Sequence, residues 1–305
     1  MMSTEPILEV SGLSVVVPER FRIGGGDGDL TLVDDVSFRI RPGERLALVG
    51  ESGSGKTMTA RSILQLDRDV ELQGSIRWAG SELLGASKKS MRRIRGAEIS
   101  MIFQDPMTAL NPVLTIGEQV AEPLLVRGTS KKEAYARAAE TLDRLGVPKA
   151  KERLRAYPSQ FSGGMRQRVV MAAALVAQPR LLIADEPTTA LDVRVQEQVL
   201  DLIEEQSREL DLAVLFITHD LSIVAGLAHR VAVMYRGNLV EQQDVEELFV
   251  APQHPYTRGL IGSVPRLDAD PNVRLTTVQD YMAAHAEAEH TAAAEPATEG
   301  VSVDV

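Results

Sequence analysis

Gly50-Glu51-Ser52-Gly53-Ser54-Gly55-Lys56-Thr57 fits the phosphate-binding pattern G-x-x-x-x-G-K-[ST] at every fixed position. The run before it, Arg45-Leu46-Ala47-Leu48-Val49, reads as a short apolar strand, and Lys56 to Gln65 reads as a helix. The glycines therefore fall in the strand-to-helix turn that the pattern requires. Glycine lets the backbone wrap closely, so that successive N–H groups point inward at phosphate oxygens while the helix N-terminus adds its positive dipole. Gly50, Glu51, Ser52, Gly53, Ser54 and Gly55 are the expected cradle, and Lys56 is expected to hold the β- and γ-phosphates. Thr57 carries the hydroxyl expected on Mg²⁺, a hard cation that takes oxygen ligands and keeps several waters.

Around this turn, a chain of 305 residues is long enough for one large α/β domain with appendages, or for two small domains. Its formal charge of −10 opposes the basic footprint of a nucleic-acid binder. The absence of cysteine excludes disulfides, thiolate zinc sites and cysteine-held iron–sulfur clusters. The N-terminus lacks a basic-then-apolar signal, and no run of 18 apolar residues occurs. If the chain works at a membrane, other subunits are expected to span it.

Strands are predicted at Ile7 to Val17 and Thr31 to Ile40, joined by a hairpin loop, Pro18 to Asp29, with Gly24 to Gly28 at its centre. Ser75 to Trp78 and Ile99 to Phe103 are further strands, and the basic segment Lys88 to Arg95 between them reads as a solvated helix face. From Asp105 to Tyr157 the pattern turns helical, with Ala134, Ala138, Leu142 and Leu145 at helical spacing behind Thr129-Ser130. Strands return at Leu181 to Ala184, Ala213 to Ile217, Arg230 to Met234 and Asn238 to Val240, with an amphipathic helix from Arg194 to Leu210. This alternation argues a mainly parallel, helix-covered sheet. A helix is expected at Val245 to Val250, and after Pro252 the Pro-bearing stretch to Asn272 reads as a docked appendage, although His254 to Leu260 taken alone reads as an exposed Pro-flanked segment. From Ala283 onward the chain is rich in Ala and Glu, poor in large apolar residues, and predicted to be disordered.

Two more stretches carry chemistry. Leu181-Leu182-Ile183-Ala184-Asp185-Glu186 is an apolar strand ending in two carboxylates, which suits delivery of acid groups to a phosphate site. Asp185 is the expected Mg²⁺ ligand, direct or through water, and Glu186 the expected general base that polarises the attacking water. Phe161-Ser162-Gly163-Gly164-Met165 precedes a helix-like run, with Ser162 at the N-cap and Gly163 and Gly164 exposing backbone N–H groups. By itself it is a loop before a helix. In company with the first motif it is a second anion-binding helix end.

With these residues in place the chain resembles the nucleotide-binding subunits of ABC transporters, over about Ile7 to Met234. The family's signature loop, usually written LSGGQ, matches Phe161 to Met165 with Phe for Leu and Met for Gln. The resemblance implies a P-loop NTPase (RecA-like) α/β core, residues 1–104 and 158–250, with an N-terminal antiparallel β subdomain and an inserted α-helical subdomain, 105–157. It also implies that Ser162, Gly163 and Gly164 cap ATP bound to the opposite subunit. Gln104 resembles the Q-loop glutamine that senses Mg²⁺ and the attacking water. Thr189-Ala190-Leu191-Asp192 resembles the D-loop, which crosses the dimer interface, so Asp192 joins the implied nucleotide-binding set. His219 resembles the switch histidine that contacts the γ-phosphate. The family stacks adenine on an aromatic in the N-terminal hairpin; Val17 stands near the usual place, and Phe21 is the candidate here.

Gln104 to Pro112 resembles the Q-loop extension of the oligopeptide, dipeptide and nickel importer branch, as does His254 to Leu260, here within an implied appendage at 251–282 ahead of the 283–305 tail. Members of that branch often end in a cysteine cluster; this chain has no cysteine, so no iron–sulfur cluster is expected. The resemblance implies ATP hydrolysis that powers import of peptides or, as the alternative, of nickel or another small solute. It implies ATP and Mg²⁺ as ligands and a location on the cytoplasmic face of the cell membrane, held by two transmembrane permease subunits. The other implied partners are an extracytoplasmic substrate-binding protein and a second ATPase subunit, a heterodimer being favoured over a homodimer; no nucleic acid is expected. A DNA-repair or chromosome ATPase is the rival from another class. Such chains insert long heptad coiled coils or zinc modules, and neither is visible.

Overall fold

The computed structural model describes residues 5–22, 28–104, 109–188, 193–263, 278 and 280–282. Strand β1 (Leu8–Val17) pairs antiparallel with β2 (Leu30–Ile40) on one side and β4 (Glu71–Trp78) on the other. With β5 (Ser81–Glu82) they form a four-stranded sheet of order β2-β1-β4-β5. Strand β4 begins four residues before the expected Ser75, because Glu71 and Leu72 already pair with Val16 and Val15. A register shift between Val10 and Leu13 lets Leu8, Val10, Leu13 and Val15 all face inward.

The second sheet has six strands in the order β10-β9-β3-β8-β7-β6. These are β3 (Arg45–Val49), β6 (Ile99–Ile102), β7 (Leu181–Asp185), β8 (Ala213–Thr218), β9 (Arg230–Tyr235) and β10 (Asn238–Asp244). All neighbours are parallel except β10, which runs antiparallel to β9 at the edge. Every residue of β7 is buried, which is why its sequence is a continuous apolar run rather than an alternation.

Helix α1 (Lys56–Ile63) touches strands of both sheets, and one core cluster runs from Leu8, Leu13 and Ile40 through Ile63 to Leu46, Ile183 and Leu215. The helix stops two residues short of the expected Gln65, which takes a left-handed φ of +47°. Its C-terminal carbonyls are met by Arg95, which donates to Leu64 O and Gln65 O at 2.7 Å each. Arg95 follows α2 (Lys88–Ile94), which buries Met91, packs half-buried Ile94 against the core and exposes the rest.

The helical layer contains α3 (Ile116–Val126), α4 (Lys131–Arg144), the short α5 (Ala150–Arg153) and α6 (Gly163–Leu175). Thr115 and Glu118 form a capping box at the start of α3, and Ser130 caps α4 by accepting from Glu133 N at 3.3 Å. Ala134, Ala138 and Leu142 are buried along one face of α4, as their spacing predicts. Helix α6 packs against α3, α4 and β6, and so ties the helical layer to the sheet. Helix α7 (Val193–Leu210) joins β7 to β8, and α8 (Leu221–Leu227) joins β8 to β9.

The chain divides into two compact units, Met1–Val245 and Glu246–Val305. Helix α9 (Val245–Val250) spans that division, and the second unit holds α10 (Pro255–Gly262). The expected exposed segment is in fact this helix, capped by His254 and started by Pro255, with Tyr256 and Thr257 fully buried. Gly259 on the same helix is also buried, and a Cβ there would come within 2.9 Å of Val278 Cα. The expected tail at 283–305 lies outside the described residues.

Candidate active site

Because β3, β8, β7 and β6 are adjacent and parallel, the segments that follow them emerge along one edge of the sheet. Gly50 follows β3, Gln104 follows β6, Asp185 ends β7 with Glu186 next, and His219 follows β8. Residues far apart in sequence are thereby brought to one place, the crevice outside the carboxyl ends of parallel strands where α/β folds hold their ligands.

The turn after β3 has the backbone of a phosphate loop. Gly50 takes φ +152°, and a Cβ there would meet Met234 O at 2.1 Å; Gly55, at φ +101°, is the N-cap of α1. Lys56 is buried and folds back on the loop, its Nζ donating to Gly50 O at 2.8 Å and Glu51 O at 2.7 Å, with Ser54 Oγ at 3.4 Å. Burial lowers the Lys56 pKa, against the opposing pull of Glu186, Asp185 and Glu51. Glu51, Ser52 and Gly53 are exposed at the loop's tip.

Thr57 Oγ1 donates to Asp185 Oδ1 at 3.1 Å. Asp185 is 1% exposed. Burial pushes its carboxyl up to about 6; the Thr57 hydrogen bond, Lys56 and Arg61 pull it down, while Glu186 pushes it further up. A hydroxyl beside a carboxylate is an oxygen-only pair that suits Mg²⁺, since that cation takes one or two protein ligands and completes its shell with phosphate oxygens and water. No cluster of three or more His, Cys, Asp or Glu side chains that could hold a metal ion occurs among the described residues.

Glu186 has a left-handed φ of +45°, uncommon for a residue with a side chain, and its N–H donates to Ile217 O at 2.9 Å. Its carboxylate lies between two side chains: Gln104 Nε2 donates to Oε2 at 3.0 Å, and His219 Nδ1 is 3.0 Å from Oε1. An anchored carboxylate in contact with an imidazole can accept and hold a proton.

Six of the expected site residues, Lys56, Thr57, Gln104, Asp185, Glu186 and His219, thus converge at this edge. Ser162, Gly163 and Gly164 stand apart, at the start of α6, where Ser162 is exposed and its Oγ accepts from Met165 N at 3.4 Å. The guanidinium of Arg153 lies 5.3 Å from the centre of the Phe161 ring and 3.5 Å from Met165 Sδ, bracing that turn from behind. Phe21 ends a short 3₁₀ turn, Glu19–Phe21, within the expected loop; its side chain is exposed with the Arg20 guanidinium 4.9 Å above the ring. Asp192 and the rest of Thr189 to Asp192 lie outside the described residues, as do residues 23–27 of the hairpin loop and 105–108 of the Q-loop extension.

Sequence reasoning missed the supports behind these groups. Gln167 in α6 donates to the Pro187 carbonyl, one residue past Glu186, and Arg168 Nη1 donates to Leu145 O at 2.7 Å. Met234, on β9, sets the space that only glycine at position 50 fits. None of these three signals is local, so none could be read from spacing.

A family model described as ABC transporter matches residues 33–189, and one described as the C-terminal region of oligopeptide/dipeptide transporters matches residues 240–290. A protein of Brucella melitensis biotype 1, provisionally named as a peptide import ATP-binding protein, is 50% identical over 275 residues, covering 87% of this chain and 80% of that protein. The dipeptide transport ATP-binding protein DppD of Lactococcus lactis subsp. cremoris is 48% identical over 272 residues, covering 88% of this chain and 76% of that one. Among solved structures, a dimeric ATP-binding cassette in a post-hydrolysis state, bound to ADP and Pi, superposes with a TM-score of 0.67 at 26% identity, covering 78% of this chain and 98% of that one. The structure of cbiO1 from Clostridium perfringens, described as part of the ABC transporter complex cbiONQ, has the same TM-score of 0.67 at 26% identity, covering 81% of this chain and 92% of that one.

Proposed function

This chain belongs to the ABC transporter family, and from that premise we propose that it is the ATP-hydrolysing subunit that powers import of peptides, with Glu186 as the general base. The observation that carries the chemistry is the Glu186 carboxylate, fixed between Gln104 and His219 at the edge that also holds Lys56, Thr57 and Asp185. Peptide cargo rests on the named relatives and on the match at residues 240–290.

In this reading the loop from Gly50 to Gly55 cradles the phosphates of ATP, and Lys56 exchanges its carbonyl partners for β- and γ-phosphate oxygens. Thr57 and Asp185, with Gln104 nearby, hold Mg²⁺, which when bound neutralises charge on the phosphates. Glu186 takes a proton from the attacking water, and His219 and Gln104 keep the carboxylate aimed. Charge on the transferred phosphoryl group is met by Lys56 and His219 on one side. On the other it is met by the N–H groups after the signature serine of a second cassette, because such transfer depends mainly on positioning and electrostatics. Ser162, Gly163 and Gly164 of this chain make the matching offer to the partner's nucleotide, and Phe21 stacks on adenine.

The partner is a different ATPase subunit rather than a second copy. No helix among the described residues is long and apolar enough to cross a membrane, so two permease subunits supply the path and hold this chain at the cytoplasmic face. A substrate-binding protein outside the membrane delivers the cargo.

The test is ATP-driven peptide uptake by the complete transporter in vesicles. Wild type should take up peptide with Mg²⁺ and ATP, while Glu186→Gln should bind ATP and lose roughly 100-fold or more in turnover, the scale of a lost general base. Near wild-type hydrolysis by Glu186→Gln would sink the assignment of the base. Uptake of a metal ion in place of peptides would move the cargo to the alternative.

A further inference from the structure

We infer that Gln167 is a positioning residue for Glu186, holding its backbone in the left-handed conformation that aims the carboxylate; this rests on the role of Glu186 proposed above. Gln167 is 1% exposed and lies one turn into α6, ahead of buried Val169, Val170 and Met171. Its Nε2 donates to the Pro187 carbonyl, while its Oε1 is buried with no hydrogen-bond partner among the described residues. A buried amide with one end unsatisfied costs stability that an apolar side chain of the same length would not. What the glutamine supplies in return is one bond, from Nε2 to the Pro187 carbonyl.

The neighbouring backbone shows what that bond restrains. Glu186 sits at φ +45°, and such strain persists in a residue with a Cβ only where its surroundings over-determine it. Two hydrogen bonds flank it: Glu186 N–H to Ile217 O at 2.9 Å before the strained unit, and Gln167 to the Pro187 carbonyl after it. Pro187 itself is buried and borders a small, mainly apolar space shared with Ala47, Leu200, Phe216 and Val224. With the Gln167 bond removed, one of the two backbone restraints that flank Glu186 is lost, and relaxation of its φ toward negative values would swing Cβ and draw the carboxylate away from Gln104 and His219. Lys56 and Thr57 belong to the turn after β3 and would be untouched. One helix would then carry both the Ser162 end, offered to a partner's nucleotide, and the amide that fixes this chain's own base.

The experiment uses the full-length subunit in the assembled transporter, measuring ATP turnover against ATP concentration together with the melting temperature of each variant. Gln167→Met keeps the length and removes the donor. It should lower kcat about 10-fold or more with KM for ATP within about twofold, since a small misplacement of a catalytic group is costly while ground-state binding is unchanged. Its melting temperature should fall by no more than that of Val170→Ala, the loss expected for one buried carbonyl left unpaired. Gln167→Glu, which sets an acceptor against the Pro187 carbonyl, should lose at least as much kcat. Val170→Ala, a buried neighbour with no polar bond, should lower the melting temperature and leave kcat near wild type. Gln167→Met with wild-type kcat, or with a kcat loss that only tracks its melting temperature as in Val170→Ala, would overturn the inference and leave the proposed function standing. A wild-type complex that does not hydrolyse ATP would instead remove the reading beneath it.

Discussion

Two glycine-rich helix ends in this chain use the same local physics and reach opposite results. At α1 the N-cap is Gly55, with no side-chain cap, and the preceding loop closes round Lys56, whose ammonium is bonded to Gly50 O and Glu51 O. At α6 the N-cap is Ser162, which satisfies Met165 N with its own hydroxyl and remains exposed. Both ends offer N–H groups and a positive dipole. What differs is the surroundings: a buried strand and a buried lysine make the first an enclosed cradle, while a surface position makes the second an edge presented outward. A helix N-terminus alone thus says that an anion fits, and the neighbouring elements decide whose anion it is.

The sharpest way to break this comparison is to damage each end separately. Lys56→Ala in the isolated chain should weaken ATP binding roughly 10- to 100-fold, the worth of charge-assisted hydrogen bonds, whereas Ser162→Arg should leave that affinity unchanged. Both should be inactive in the complex. If this chain pairs with a different subunit, mixing the two variants as the only cassettes stays inactive. Recovery of turnover in the mixture would establish a head-to-tail homodimer, in which one site inherits both intact halves.

A smaller effect separates burial from binding at the enclosed end. Asp185 has a folded-state pKa of about 6, above its ordinary 3.8, so folding takes up protons between those values. Stability of the nucleotide-free, metal-free protein contributed by this group is therefore present below about pH 4, is lost as pH rises through about 6, and stays lost above. Asp185→Asn should accordingly stabilise that form at pH 7.5 by on the order of 1–3 kcal/mol, a gain that shrinks toward pH 4.5. Denaturant titrations at the two pH values measure it. A gain independent of pH would show that the ionised carboxylate is not the source.

The smallest expected effect lies at the hairpin. Phe21 is 41% exposed and packs mainly under Arg20. Phe21→Ala should leave the melting temperature within a degree or so, as surface substitutions do, and weaken ATP binding by about 1 kcal/mol, the scale of an aromatic stack. Isothermal titration with ATP would reveal it. Unchanged affinity would move the adenine contact elsewhere.

The sequence by itself determined whatever depends on neighbours along the chain. The phosphate loop is contiguous, so its pattern, its preceding strand and its following helix could all be read directly. The same holds for the buried run ending at Asp185 and Glu186, for the face of α4 carrying Ala134, Ala138 and Leu142, and for Ser162 as an N-cap. Gln104 and His219 gained their expected places only through resemblance, because nothing local distinguishes one glutamine or histidine from another. Tertiary structure alone decided the rest. Strand order set Gln104 and His219 on the two oxygens of Glu186, and the packing of α6 brought Gln167 to Pro187. Sequence read His254 to Leu260 as exposed, whereas packing buried Tyr256 and Thr257. The physical reason is common to all of these. Propensity and periodicity act over a few residues, while contacts across tens of residues, and the left-handed turn at Glu186 flanked by two of them, exist only once the sheet has formed.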